Sequence, residues 1–272
     1  MKSVALALGA GGARGFAHIA VLEAFDELGL KPAAIAGSSI GALGGALYAA
    51  GMSGKAIRRY VIDLAHDRAE VWRRLMLARA GTFGDLFGGD FSAAMQLDAE
   101  KVVNQFLPES IPDQFNGLAI PLIVVASDLY GRRQVAFTSG PLKPALAASI
   151  ALPTIMRPVV IDECVLIDGG ATNPLPFDLV RGHADIIVAV DAAGPPAADR
   201  RGVPNAIEAL YATVVVMTSS IINEKLAHEA PEVLVQPNVG RIRPLDFFQA
   251  SAILRLAEPV KTELKAKLEA LL

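Results

Sequence analysis

The chain carries a serine in a setting that is typical of a catalytic nucleophile. Ser39 is the third residue of Gly37-Ser38-Ser39-Ile40-Gly41, which fits G-x-S-x-G between an apolar stretch and a run of small residues. In a nucleophile elbow the serine lies in a sharp turn from strand to helix, and the flanking glycines leave room for the backbone and for substrate. The pattern predicts a nucleophilic Ser39, the alternative being a serine that only caps the helix. Ser38 is expected to be structural.

A glycine-rich turn near the start of the chain is typical of a loop that binds an anion. It reads Gly9-Ala10-Gly11-Gly12-Ala13-Arg14-Gly15 and precedes a helical pattern. Backbone N–H groups of such a turn point outward together, and the helix N-terminus adds positive potential. A cation in the first helical turn opposes the helix dipole by about 0.3–1 kcal/mol, so Arg14 indicates a bound anion; a tolerated surface arginine is the alternative. A dinucleotide fingerprint is disfavoured because its third glycine would fall at Arg14.

An aspartate follows an apolar stretch much later in the chain. Asp168 stands in Ile167-Asp168-Gly169-Gly170, and a carboxylate at a strand end lies where open α/β sheets place their active sites. An ordinary turn aspartate is the alternative, but with a serine elbow upstream this acid is the natural base candidate. None of the histidines follows an acid in a strand-end loop, as a Ser-Asp-His order requires, although His18 could line the site. They are His18, His66, His183 and His228. We therefore predict a Ser-Asp dyad.

Taken together and in this order, the three segments resemble the hallmarks of the patatin-like phospholipase family, and of its bacterial branch in particular. The likeness extends over residues 4–191. It is carried by the segments Ala36–Leu43, Ala148–Pro153 and Leu166–Pro176, besides the glycine turn. One departure is Ala10, which stands where the family commonly has glycine.

The resemblance assigns roles to residues of this chain. It implies that Ser39 is the nucleophile and Asp168 the general base, and that N–H groups of Gly11 and Gly12 form the oxyanion hole. Arg14 matches the basic residue of the family's glycine motif, and we expect it to bind an anion or the substrate.

The activity that the resemblance implies is hydrolysis of lipid esters. We expect cleavage of carboxylic ester bonds of phospholipids or lysophospholipids through an acyl-enzyme, with no cofactor and no metal. One alternative is a lipid-binding or regulatory protein without catalysis. Another is a general carboxylesterase or thioesterase acting on small acyl substrates.

Short apolar runs between turn residues predict the strands that position these groups. They are expected at 4–8, 33–36, 121–126, 133–137, 159–161, 165–167, 186–190 and 233–236. Because strands and helices alternate at the start, we predict a doubly wound α/β fold with a mostly parallel sheet and helices on both faces. Residues 3–193, with a cap at 54–107, are expected to form the catalytic core. Residues 194–272 are expected to form a C-terminal helical extension packed on the same domain.

Several helical patterns carry further expectations. Between residues 13 and 28, Glu23, Asp26 and Glu27 mark one solvent-facing stripe. Residues 55–79 look helical and basic, and residues 82–91 mix glycine with phenylalanine as a mobile apolar flap does. These two segments are expected to face the lipid interface, with Phe83, Phe87 and Phe91 on the flap. From residue 250 an apolar stripe predicts a helix that packs on the domain, and it comprises Ile253, Leu256, Val260, Leu264, Leu268 and Leu271.

The composition limits the class of protein. With 272 residues, 53% hydrophobic and 19% charged, the chain can bury a large core, which excludes a disordered protein. A net charge of −3 gives phosphate backbones little to bind, so no nucleic acid partner is expected. A single cysteine, Cys164, excludes an internal disulfide and favours a reducing compartment. We expect a cytoplasmic protein that contacts membranes only from outside, at the inner membrane face, and leave the oligomeric state open.

Overall fold

The computed structural model describes residues 2–81, 96–194, 202–203 and 205–272. Its centre is one sheet of eight strands. The strands are β1 (Val4–Leu8), β2 (Ile35–Ser38), β3 (Leu122–Asp128), β4 (Arg133–Phe137), β5 (Val159–Ile161), β6 (Cys164–Asp168), β7 (Ile186–Val190) and β8 (Val233–Val235). The predicted strands thus exist in the predicted order; four of them have the predicted bounds, and the ends of the others shift by no more than two residues.

The helices lie between and after these strands. They are α1 (His18–Glu27), α2 (Ile40–Ala49), α3 (Gly54–His66), α4 (Arg68–Leu77), α5 (Ala99–Phe106), α6 (Leu142–Ile150), α7 (Ala206–His228) and α8 (Ala250–Leu271). A 3₁₀ turn over Gly12–Ala17 leads into α1, where the sequence predicted a continuous helix. The predicted basic helical segment is two helices, because Asp67 ends α3 and its side chain accepts from the N–H of Glu70 to begin α4.

The sheet is mostly parallel, as predicted. The strand order is β5-β6-β3-β2-β1-β7-β8, with β4 paired on β3. The pairs β3-β2, β2-β1, β1-β7 and β7-β8 are parallel. The pairs β3-β4, β3-β6 and β5-β6 are antiparallel. The aspartate strand β6 therefore runs against the parallel core.

Both faces of the sheet are covered, which confirms the doubly wound fold. Side chains alternate between the faces of a strand, so Leu6 of β1 packs into the larger core with α1, α2 and α6. Its neighbours Ala5 and Ala7 face the other way and pack with Ile222 of α7. The 3₁₀ turn Phe177–Val180 packs against β1, β2 and β7 on this second face.

Two sequence expectations about helix faces are wrong. Glu23 is 2% exposed, because Arg58 and Lys261 from α3 and α8 cover it, and it does not belong to a solvent stripe. On α8 the apolar stripe packs on the domain as predicted, except that Leu256 is 43% exposed. The predicted flap at 82–91 lies outside the described residues.

Candidate active site

Ser39 occupies a strained turn between β2 and α2. Its backbone angles are φ 55° and ψ −125°, a conformation that L-residues rarely adopt. The flanking glycines are required by space: a Cβ on Gly37 would lie 2.5 Å from the Cα of Ala42, and one on Gly41 would lie 2.1 Å from the carbonyl O of Leu8. The turn has the sharp strand-to-helix geometry that a nucleophile elbow requires, and the role of Ser39 as a nucleophile stays a prediction. Ser39 stands at the N-cap position of α2 but makes no capping bond with its side chain.

The hydroxyl of Ser39 donates to the carboxylate of Asp168. The distance from Oγ to Oδ2 is 2.5 Å, and the two residues are 129 positions apart. The structure thus brings together the two residues that the sequence singled out as nucleophile and base.

The topology of β3 explains this meeting. Residues 124–128 of β3 pair with β4 along one edge. On the opposite edge, β2 pairs up to Val125 and β6 pairs from Asp128 to Ala126. The carboxyl ends of β2 and β6 therefore meet along this edge, with Ser38 opposite Val125 and Asp168 opposite Ala126. Asp168 therefore reaches the site from an antiparallel strand, and not from the carboxyl end of a parallel one as the sequence suggested.

The carboxylate of Asp168 is buried and held in place. Its Oδ1 accepts from the N–H of Gly170 at 2.7 Å, and the hydroxyl of Ser127 donates to its backbone carbonyl at 2.9 Å. Burial raises the pKa of Asp168 to about 6, although the hydrogen bonds from Ser39 and Gly170 act in the opposite direction. The aspartate is consequently a stronger base than an exposed one and is still ionised at neutral pH.

The glycine turn contains two N–H groups that donate no hydrogen bond to the described part of the protein. Gly9 and Ala13 donate their N–H groups to Val190 and Pro244. Within the described residues, no group accepts a hydrogen bond from the N–H of Gly11 or Gly12. Gly12 has φ +58°, and a Cβ there would lie 2.2 Å from the carbonyl O of Pro244. The turn can therefore offer two N–H donors to a bound oxyanion.

Arg14 points toward the C-terminal part of the chain. Its Nε donates to the carbonyl of Ile242 at 2.7 Å, its Nη2 to Gly240 at 3.2 Å and its Nη1 to Ala193 at 3.3 Å. These three partners are neutral backbone carbonyls, and they hold the guanidinium in place. Binding of an anion by Arg14 stays a prediction.

The histidines do not take part in the Ser39–Asp168 contact. His18 is buried, its Nε2 lies 2.8 Å from the carbonyl O of Gly9, and burial lowers its pKa to about 4. It is therefore neutral, and its contact with the carbonyl O of Gly9 supports the glycine turn. His66 and His183 are exposed, and His228 contacts its own helix at Glu224.

An apolar cavity of about 670 Å³ contains the site. Ser39, Asp168, Gly11 and Gly12 lie at its wall, and most of the other lining side chains are apolar, including residues of α3, α4, α5 and α7. Its volume is within the range of about 300–1,000 Å³ usual for small-molecule sites. In the described ranges, no three His, Cys, Asp or Glu side chains cluster as metal ligands would.

Comparison with known proteins identifies the family. The chain belongs to the patatin-like phospholipase family, whose sequence model matches residues 6–181. An uncharacterized NTE family protein of Mycobacterium bovis is 37% identical over 220 residues, which are 80% of this chain and 57% of that protein. Patatin-like phospholipase domain-containing protein 7 of Rattus norvegicus is 31% identical over 193 residues, which are 70% of this chain and 14% of that protein. The chain thus spans little more than half the length of the first relative. The resemblance inferred from the motifs is confirmed.

Two solved structures align with nearly the whole chain at low sequence identity. VipD from Legionella pneumophila aligns over 97% of this chain and 66% of its own, with a TM-score of 0.48 and 12% sequence identity. ExoU from Pseudomonas aeruginosa, in complex with SpcU, aligns over 99% of this chain with a TM-score of 0.43 and 15% identity.

Sequence reasoning missed several residues that hold the site. Ser149 of α6 accepts from the N–H of Ser39 at 2.9 Å, and Ser127 links Asp168 to Thr172. Ser127 directly follows a predicted strand, and Ser149 lies in the segment Ala148–Pro153 that carries the resemblance, but neither position indicates which group the hydroxyl contacts. The contact of Ala13 with Pro244 had no signal, because backbone acceptors carry no side-chain pattern.

Proposed function

We propose that this chain hydrolyses carboxylic ester bonds of phospholipids or lysophospholipids through a Ser39–Asp168 dyad and an acyl-enzyme. The observation that carries the proposal is the 2.5 Å contact between Ser39 Oγ and a buried Asp168 carboxylate at the wall of an apolar cavity. Membership of the patatin-like phospholipase family supports the same activity.

Acylation begins with the hydroxyl of Ser39. Its Oγ attacks the ester carbonyl carbon while the carboxylate of Asp168 takes the proton. The carbonyl oxygen gains negative charge, and the N–H groups of Gly11 and Gly12 stabilise it, each donor contributing on the order of 2.7–4 kcal/mol. When the C–O bond to the leaving group breaks, Asp168 returns its proton to the departing alkoxide. The fatty acyl group stays on Ser39.

Deacylation repeats the same chemistry with water. Asp168 takes a proton from a water molecule, which attacks the acyl carbon, and the second oxyanion forms on the same donors. Collapse breaks the bond to Oγ and Asp168 passes the proton to Ser39. The products are the free fatty acid and the regenerated hydroxyl, so no cofactor enters either half of the reaction.

The lining of the cavity supports a substrate with a long apolar part. The side chains of Leu43, Leu75, Phe106 and Val215 line it, and an acyl chain removed from water there gains roughly 0.8 kcal/mol per buried CH₂. A small polar ester would gain little from these contacts. The cavity therefore favours a lipid over the small acyl substrates of a general esterase.

The experiment is fatty acid release by purified protein from phosphatidylcholine and lysophosphatidylcholine, with a neutral p-nitrophenyl ester alongside. We expect release by the parent protein, none above background by Ser39→Ala or Asp168→Asn, and labelling of Ser39 by a fluorophosphonate probe. Ser38→Ala is the matched control, since the neighbouring hydroxyl is buried and makes no hydrogen bond within the described residues. It should retain most of the activity.

The histidines provide a second control. Substitution of His66, His183 or His228 by alanine should leave most of the turnover, whereas a folded but inactive His183→Ala protein would indicate a conventional triad. Failure of the parent protein to release fatty acid from any ester, together with resistance of Ser39 to the probe, would leave the alternative of a lipid-binding protein without catalysis.

A further inference from the structure

Helix α4 is unusual because its apolar residues are not buried. Five of its ten residues are Val71, Trp72, Leu75, Met76 and Leu77, yet none of the ten is buried. Val71 and Leu75 line the cavity, while Trp72 is 59% and Met76 48% exposed. In the described structure the helix thus presents one apolar side to the cavity and another to solvent.

Helix α7 repeats this arrangement on another wall of the cavity. Its sequence has no charged residue from 209 to 223, and no residue from 209 to 221 is buried. Tyr211 and Val215 line the cavity, while Val216 is 64% and Met217 60% exposed. A surface helix that carries no charge over about four turns and exposes large apolar side chains is expected to have a partner on its outer side.

The segment 244–248 completes the set. Leu245, Phe247 and Phe248 both line the cavity and are 39–43% exposed, so the cavity opens to solvent beside them. The guanidinium of Arg68 on α4 lies 5.1 Å from the ring centroid of Phe248. We call the exposed large apolar residues of these elements the apolar rim, which comprises Trp72, Met76, Leu77, Leu210, Val214, Val216, Met217, Leu245, Phe247 and Phe248.

The charge near the apolar rim has the opposite sign to the charge of the whole chain. Residues 67–79 hold four arginines and two acids, and residues 237–249 hold two arginines and one aspartate, so both segments are net positive on a chain of net charge −3. Aromatic and aliphatic side chains beside arginines are typical of a surface that inserts between anionic head groups. A protein partner would cover the opening through which a substrate reaches Ser39, whereas a bilayer would supply the substrate there.

We propose that the apolar rim docks on an anionic lipid bilayer, so that the cavity opens directly into the membrane. The inference rests on the proposed function in one respect, since docking aids catalysis only if the chain hydrolyses lipids. Docking itself does not require turnover. The occupant is a bilayer surface, contacted from one side. None of the described helices is long and apolar enough to cross it.

Trp72 allows a direct test, because it is the only tryptophan of the chain. Its emission is recorded in the Ser39→Ala protein, which leaves vesicles intact, with vesicles of phosphatidylglycerol and phosphatidylcholine in equal parts. We expect a shift to shorter wavelength and protection from iodide quenching, and a smaller response to phosphatidylcholine alone. The double variant Met76→Asp/Met217→Asp should bind the mixed vesicles about tenfold or more weakly, since two apolar contacts are lost.

Tyr130→Asp is the matched control. Tyr130 is 78% exposed on the β3-β4 turn and does not line the cavity, so this variant should bind vesicles as the parent does. In the Ser39 background, both the double variant and the control should keep the parent's circular dichroism and unfolding midpoint. With Ser39 restored, both should hydrolyse a soluble ester at the parent rate.

Two results would overturn docking directly: no change of Trp72 emission with either vesicle, or equal weakening of binding by Tyr130→Asp. A third is an emission change that follows protein concentration without lipid. That result would indicate that the apolar rim binds a second copy of the chain. Vesicle binding by a protein that hydrolyses nothing would contradict the proposed function and leave docking intact.

Discussion

The guanidinium of Arg14 donates to the backbone carbonyl of Ile242 at 2.7 Å, although the two residues stand 228 positions apart. It also donates to Gly240, and the neighbouring Ala13 donates its N–H to Pro244 at 2.7 Å. The segment 240–244 thus accepts hydrogen bonds from two consecutive residues of the glycine turn, Ala13 and Arg14. It lies outside the stretch that the family model matches, residues 6–181. The N–H groups that we propose as the oxyanion hole are therefore positioned by the C-terminal part of the chain.

Replacing Arg14 tests this positioning. Arg14→Ala should lower kcat/KM about 10- to 100-fold on a neutral ester and on a phospholipid alike, because the loss is in the placement of the oxyanion donors. Arg14→Lys should recover only part, since one ammonium cannot replace the fork of the guanidinium. Steady-state kinetics on both substrates decide the matter. A loss confined to the phospholipid would indicate that Arg14 binds the phosphate, as the sequence predicted.

The sequence predicts the reacting groups better than their supports. Ser39 and Asp168 were predictable because glycines are required where the backbone turns sharply, and such glycines leave a readable pattern. Glu23 was assigned to the solvent stripe because helical periodicity carries no information about Arg58 and Lys261. These two residues belong to distant helices, and their charges stabilise the buried carboxylate. The direction of β6 was equally hidden, since a short apolar run looks the same in a parallel and an antiparallel strand.

The pKa of Asp168 predicts how activity depends on pH. The dyad needs the ionised carboxylate, and burial raises its pKa to about 6. For hydrolysis of a soluble ester we expect kcat/KM to rise with pH through about 6 and then to level off. A pH profile of the parent protein measures this directly. A midpoint near 4 would mean that Asp168 is as accessible to water as an ordinary aspartate.

The same burial predicts that Asp168 costs stability at neutral pH. Its pKa is 3.8 in the unfolded chain and about 6 in the folded protein, so the folded state holds the proton more tightly. The associated stability is complete below about pH 4 and is lost as the pH rises through 6. Asp168→Asn should therefore raise the free energy of unfolding at pH 8 by about 1–3 kcal/mol and change it little at pH 4. Urea denaturation at the two pH values tests the difference, and a variant less stable at pH 8 would contradict it.

Two of the three glycines of α2, Gly41 and Gly44, are expected to have opposite effects on stability when replaced by alanine. A Cβ on Gly41 would lie 2.1 Å from the carbonyl O of Leu8, whereas one on Gly44 would meet no atom within 4 Å. Gly41→Ala should destabilise the protein by about 2 kcal/mol or more, because β1 and α2 must separate. Gly44→Ala, the matched control in the same helix, should stabilise it by about 0.5–1 kcal/mol through helix propensity. Thermal unfolding of both variants measures the two changes in stability. Equal changes in the two variants would contradict the prediction.

A cluster of charges around Glu23 ties three helices together. Its carboxylate accepts from Nε and Nη2 of Arg58 at 2.6 Å each, and Nζ of Lys261 lies 3.2 Å away. Burial raises the pKa of Glu23, but the hydrogen bonds and charges of Arg58 and Lys261 outweigh it and lower the pKa below its usual value. The carboxylate thus joins α1 to α3, which lines the cavity, and to α8.

Removing the charge of Glu23 should loosen this junction. Glu23→Gln removes the buried carboxylate that Arg58 and Lys261 share and leaves them the half-exposed Glu258 as a common partner. We expect a loss of about 2–3 kcal/mol in the free energy of unfolding, because both cations are partly buried. Glu70→Gln on α4 changes the net charge equally and also removes a carboxylate with two arginine partners. Since Arg73 is more than half exposed there, water replaces the lost partner, and the change should be much smaller. Denaturant unfolding at neutral pH compares the two variants, and equal losses would show that the burial of Glu23 carries no extra stability.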